Sequence, residues 1–274
     1  TLIDAPFTLF GQASGWGTEY PLATVLANAK AFQFQTSEYA TAGTVTAELW
    51  IDDLIIYGCT TCPTPPPTAT PLNTATYTNT IPLGSTSTFT YTATNTRTAT
   101  DTPPAGSTAT FTPTTPPAGV CVMEDGEDGD NTNLFGGYWY TYGSGNGTSI
   151  VPVPEPQGGS EFEMTAGGYN GSLYAASFSG TVGTEAPDYP SIGMGAQLNP
   201  MAGAAPDGDG TVTDISSCTG VRFYAKGDGK TYHIKIPYSD ADDVSLTGYN
   251  DYKYNFTAPT TWTLVDVPFI LFGQ

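Results

Sequence analysis

The chain has 274 residues, with 7 Lys and Arg against 26 Asp and Glu and a formal net charge of −19. That balance repels phosphate backbones and anionic membranes, arguing against nucleic acid or membrane as partner, and it attracts divalent cations. No apolar run reaches the length of a membrane span, no signal-peptide order opens the chain, and a composition rich in Gly, Thr, Tyr and Pro but poor in Lys fits a secreted, extracellular all-β protein.

The first stretch, TLIDAPFTLFGQ (Thr1 to Gln12), returns as the last, TLVDVPFILFGQ (Thr263 to Gln274), with nine of twelve positions identical. The simplest reading is a tandem array with a period of 262 residues, the offset from Thr1 to Thr263. On that reading residues 1–58 close one repeat, residues 59–118 form a linker, and residues 119–274 open the next repeat. A complete domain is then the C-terminal part joined to a copy of the N-terminal part.

In chain order, PLATVLANAKAF (Pro21 to Phe32) has room for one short helix. AKAFQFQT follows with strand alternation, Phe32 and Phe34 on one face and Gln33 and Gln35 on the other, and TVTAELWIDDLIIYG is a second strand. Four cysteines follow along the chain, Cys59, Cys62, Cys121 and Cys218. In an oxidising compartment disulfides are favoured over a zinc site, three pairings are open, and a bridge from Cys121 to Cys59 or Cys62 would pin the first and last strands of the joined domain.

From Thr60 to Ala118 the chain is rich in Thr and Pro and almost uncharged. Thr occupies every second position from Thr86 to Thr102, so an extended chain has one hydroxyl face and one partly apolar face. The segment is predicted to be extended, docking its Tyr77, Ile81, Phe89 and Tyr91 side on a neighbouring copy. The hydroxyl ladder is a dense array for O-linked sugar at Thr74, Thr76, Thr78, Thr80, Thr86, Thr88, Thr90, Thr92, Thr94, Thr96, Thr98 and Thr100. A disordered glycosylated spacer is the plainer alternative.

Strand character resumes at Gly119. The acidic opening supplies hard oxygen ligands at turn spacing, and Glu124, Glu127, Asp128, Asp130 and Asn131, with Asp52 and Asp53 from the WIDD strand, are the expected structural calcium ligands. The acidic stretches PDGDG (206–210) and SDADD (239–243) are expected to be ordinary turns. Gly227-Asp228-Gly229 is read as a hairpin turn, because Asp-Gly tolerates positive φ. Pairing VRFYAKG with YHIKI through that turn would gather Arg222, Tyr224, His233 and Lys235 on one face, beside Tyr252, Tyr254, Gln33 and Gln35. Aromatic faces with nearby hydrogen-bonding groups suit a sugar.

Taken in joined order, EDGEDGDNTNLFGGYWYTY, CTGVRFYAKGDGKTYHIKI, APTTWTLVDVPFILFGQ, AKAFQFQT and ELWIDDLIIYG resemble the family 11 carbohydrate-binding modules and the related complex I intermediate-associated domains. The resemblance implies an antiparallel β-sandwich of jelly-roll type, structural calcium and, in many members, β-glucan binding without catalysis. His233, the only histidine, sits within a strand, and nothing singles out a catalytic carboxylate pair, so no enzyme is expected. The reading is a structural subunit of a secreted tandem-repeat fibre whose partners are copies of itself and glycans. Its rival is a carbohydrate-binding module of a modular polysaccharide-degrading enzyme or adhesin.

Overall fold

A computed structural model describes residues 20–36, 45–63, 118–145, 147–154, 162–183, 190–199, 212–238 and 251–273. The chain divides into two units, Thr1–Pro66 with Pro116–Gln274, and Pro67–Thr115. The second unit lies outside the described residues, and with it all twelve predicted glycosylation positions. So do the opening copy of the repeated dodecapeptide and the PDGDG and SDADD stretches.

The short helix is α1, Leu22–Ala27, with Val25 and Leu26 buried. Strand β1 is Ala31–Thr36 and β2 is Val45–Tyr57. Beyond the Thr/Pro segment come β3 (Val120–Glu124), β4 (Trp139–Ser144), β5 (Ser149–Val151), β6 (Thr165–Ala166) and β7 (Tyr174–Val182). The remaining strands are β8 (Ser191–Gln197), β9 (Gly220–Gly227), β10 (Thr231–Ile236), β11 (Tyr252–Thr257) and β12 (Thr263–Pro268).

These strands form the expected antiparallel sandwich. A five-stranded sheet runs in the order β11-β10-β1-β8-β4, and a seven-stranded sheet runs β12-β9-β2-β7-β5, with β3 beside β2 and β6 beside β7. The two strands from the N-terminal segment are interior ones. β1 is flanked by β10 and β8, and β2 by β9 and β7. Without residues 31–57 each sheet would split in two, so the segments on either side of the Thr/Pro stretch form one hydrophobic core.

That core follows from period-two alternation. Phe32 and Phe34 are fully buried while Gln33 and Gln35 are less so. Phe34 stacks on Trp139, with ring centroids 6.2 Å apart, and meets Phe223 of the other sheet edge-on at 5.1 Å. The Trp139 indole N–H donates to the Glu124 carboxylate at 2.9 Å. Trp139→Phe therefore removes both ring area and the donor of a buried carboxylate, and is expected to lower unfolding free energy by about 2–4 kcal/mol. Urea unfolding checks this, and a loss under about 1 kcal/mol would contradict it.

Two disulfides close the domain, Cys59–Cys218 and Cys62–Cys121. The second has the form anticipated, joining the end of the N-terminal segment to the first strand after the linker. Gly227-Asp228-Gly229 is not a hairpin turn. Both sides of β9 are already occupied, by β12 and β2, so β10 crosses to the other sheet. Gly229 does carry the positive φ expected of it, +82°. The Asp228 carboxylate secures the crossing by accepting from the Lys230 backbone N–H at 3.2 Å and the Tyr232 hydroxyl at 2.9 Å.

Candidate functional site

That crossing divides the residues predicted to bind sugar. Gln33, Gln35, His233 and Lys235 share the outer face of the five-stranded sheet, with Gln33 opposite Lys235 and Gln35 opposite His233. Arg222 and Tyr224 lie on the seven-stranded sheet instead. Tyr252 and Tyr254 stand opposite Ile236 and Ile234 and so face the other way from His233 and Lys235. Tyr254 packs near the Phe272 ring at 6.3 Å, and the Tyr252 hydroxyl donates to the Tyr20 carbonyl at 2.8 Å.

Their place is taken by Tyr140 and Tyr142 of β4. Two rows cross the sheet: Tyr140, Gly195, Gln33, Lys235 and Lys253, then Tyr142, Gly193, Gln35, His233 and Asn255. The glycines let the tyrosine rings lie across the neighbouring strand. A Cβ at Gly195 would sit 2.5 Å from Tyr140 Cζ, and one at Gly193 would sit 2.7 Å from Tyr142 Cζ. The Gln33 amide donates to the Tyr140 hydroxyl at 2.7 Å, and the Tyr142 hydroxyl donates to the Gln35 side-chain oxygen at 3.2 Å. Lys235 pairs with Asp251 at 3.3 Å and lies 5.7 Å from the Tyr142 ring centroid.

Protonation on this face is settled by burial. Burial holds the Tyr140 phenol up at about 12, so it keeps its proton. Burial, reinforced by Lys235 and Lys253, drives His233 down to about 3, leaving a neutral imidazole. Among the described residues the face thus offers fixed rings, amides, hydroxyls, the Lys235–Asp251 ion pair and the Lys253 ammonium. Gly195→Ala is expected to lift the Tyr140 ring and break its hydrogen bond with Gln33 while leaving the melting temperature within about 3 °C, because only the far end of a side chain must move. A melting temperature lowered by more than about 8 °C would contradict this.

In the acidic opening, where calcium ligands were predicted, several carboxylates accept hydrogen bonds from the protein. Glu124, 2% exposed, accepts from the backbone N–H groups of Asp125 and Gly126 at 3.0 and 2.9 Å, besides the Trp139 indole. Asp52, fully buried, accepts from the Asp53 N–H at 2.8 Å and from the Tyr169 N–H. Three more carboxylates cap the backbone two residues on: Asp125 takes the Glu127 N–H, Asp128 that of Asp130, and Asp130 that of Thr132. Asn131 contributes its backbone carbonyl to the Trp139 N–H. These are Asx turns, the local use of short acidic side chains.

Asp53 occupies a bulge in β2 at φ +50°, its carboxyl held above the usual range by burial and then by the charges of Asp125 and Glu127. Among the described residues no three His, Cys, Asp or Glu side chains converge on a metal-ligating point. With the loop capped by its own backbone N–H groups, restoring calcium to chelator-treated protein is expected to move the melting temperature by less than about 2 °C; a rise of several degrees would show that the loop binds the ion.

Fold and site together define an antiparallel β-sandwich with an aromatic and amide-lined outer sheet face. No known family matches the chain, and no solved structure does. Over 162 residues the chain is 31% identical to Endoglucanase 3 of Fibrobacter succinogenes (strain ATCC 19169 / S85), a match covering 57% of this chain and 21% of that protein. The similarity is thus to about a fifth of a carbohydrate-active protein. Among the described residues no helix is long and apolar enough to cross a membrane.

Proposed function

We propose that the sandwich is a non-catalytic carbohydrate-binding module, serving as a unit of a secreted tandem array, and that it binds a soluble β-glucan chain across the outer face of the five-stranded sheet. The observation that carries this reading is the pair Tyr140 and Tyr142, laid over Gly195 and Gly193 and held by Gln33 and Gln35. Flat rings beside amides are the complement of a pyranose, whose faces are apolar and whose rim is hydroxyl. The limited span of the match to an endoglucanase fits a module that accompanies a catalytic domain. A neutral His233 within a strand and an Asp251 paired with Lys235 support binding over cleavage in this reading. The disulfides favour an oxidising, extracellular setting.

The array reading rests on the repeated dodecapeptide. Gly273 exchanges two backbone hydrogen bonds with Lys253 of β11, and the next residue of that strand, Tyr252, binds the Tyr20 carbonyl. Gly273 and the entry to α1 therefore both lie against β11. O-glycosylation of the Thr ladder and assembly into a fibre belong to the same proposal.

Two measurements test it. In affinity electrophoresis the full chain is expected to be retarded by soluble β-glucan and to release no reducing sugar; mobility unaffected by every glucan tried, or hydrolysis, would overturn the module reading. A rearranged chain running from Gly119 to Gln274 and on through Ala13 to Pro63 is expected to fold with both disulfides formed, and failure to do so would remove the array.

A further inference from the structure

Arg222 and Tyr224, displaced from the predicted sugar face, belong to a second aromatic surface. On the outer side of the seven-stranded sheet, Trp50 stands opposite Lys226, Tyr224 opposite Leu264, and Arg222 opposite Asp266. The Lys226 ammonium lies 4.1 Å from the Trp50 ring centroid and 4.9 Å from that of Trp262, so one cation fixes two indoles. Tyr169 lies flat on Tyr224, with centroids 3.6 Å apart and planes 15° from parallel, and meets Trp262 edge-on at 6.5 Å. The loop carrying Tyr169 is tied down by the buried Asp52 carboxylate. Leu264, 45% exposed, continues the apolar surface.

We propose that this face is a second carbohydrate-binding surface, suited to an insoluble, uncharged polysaccharide, a proposal that rests on the carbohydrate-module reading. The rings are set in place by one another and by Lys226, so a ligand meets a preorganised platform rather than mobile side chains. The charges beside the rings already have partners: Lys226 lies over the two indoles, Glu48 accepts from the Trp50 indole N–H at 2.9 Å, and Arg222 is engaged by Asp266 and by the Tyr57 ring at 5.0 Å. A phosphate-bearing partner of a chain with net charge −19 meets long-range repulsion, whereas a neutral polysaccharide meets none. The rings lie on an open sheet face, which suits the packed surface of an insoluble polymer better than a single soluble chain.

The test uses the full chain, with microcrystalline cellulose as the insoluble probe and soluble β-glucan as the probe of the other face. Trp50→Ala combined with Trp262→Ala is expected to reduce retention on cellulose about tenfold or more while electrophoretic retardation by soluble glucan stays within about twofold. Should that pair fail to fold, Tyr169→Ala, on a surface loop, is expected to lose about threefold to tenfold on the same probe. Wild-type protein that is not retained on cellulose, variants retained as well as wild type, or variants that change self-association in sedimentation instead of retention would each overturn the proposal. Tyr140→Ala with Tyr142→Ala separates the two readings: loss of soluble-glucan binding with cellulose retention intact leaves both standing, whereas soluble-glucan binding that survives those changes sinks the first face alone.

Discussion

Reducing the two disulfides is expected to lower the melting temperature by more than about 15 °C, the largest effect any treatment short of denaturant should have on this protein. Cys59–Cys218 joins residues 159 apart in sequence, and Cys62–Cys121 joins residues 59 apart. In the chain-entropy account, loops of those lengths constrain the unfolded ensemble by about 5 and about 4 kcal/mol. Both bridges tie the end of β2 to strands that follow the Thr/Pro segment, so reduction frees the interior strands β1 and β2 to separate from their sheet partners. Cys62 is exposed whereas Cys59, Cys121 and Cys218 are buried, so reductant should open Cys62–Cys121 first. Thermal melts with and without reductant, with Cys62→Ala and Cys121→Ala together as the isolated case, measure this. A fall of less than about 3 °C on full reduction would show that the core alone holds the domain.

The second large effect is a gain of stability in mild acid. Burial raises Glu124 from 4.5 to about 7, and burial also raises Asp52 from 3.8 to about 6. An acid whose pKa is raised by folding binds its proton more tightly in the folded state. Its stabilising contribution is complete below the unfolded value near 4 and is lost as pH rises through 6 to 7. Unfolding free energy is therefore expected to be greater at pH 5 than at pH 8 by a few kcal/mol, with Glu124 alone contributing on the order of 3 kcal/mol. Relief of repulsion among the other carboxylates acts in the same direction, so Glu124→Gln is the informative comparison: it should flatten the slope between pH 5 and pH 7.5. Wild-type stability that is flat or rises over that interval would contradict the assignment.

Much of the fold was legible because alternation is local. Phe32 and Phe34 inward with Gln33 and Gln35 outward needed only six residues of sequence, and the buried pattern of β1 matches. What alternation cannot supply is the sheet to which each strand belongs. VRFYAKG and YHIKI have the same period whether they pair or cross, and the crossing depended on β12 and β2 having taken both sides of β9. Arg222 and Tyr224 were misplaced for that reason alone.

Tyr140 and Tyr142 were visible as the outward members of WYTY, but their role depends on Gly193 and Gly195, whose opposition follows from strand register. Alternate glycines in a strand otherwise apolar, SIGMGAQ, were the available signal. The acidic opening was legible as turns, because carboxylates at turn spacing serve a cation and a backbone N–H equally well. The hydrogen bonds from Gly126, Glu127, Asp130 and Thr132 are the second use.

The most direct measurement is the affinity of the full chain for soluble β-glucan, compared between wild type and Tyr140→Ala with Tyr142→Ala, with melting temperature recorded alongside. The account predicts at least about thirtyfold weaker binding by the double variant, at a melting temperature within about 5 °C of wild type, because two half-buried rings on the outer sheet face are lost and the core is untouched. Undiminished binding by a folded double variant would contradict the claim that this face receives the sugar.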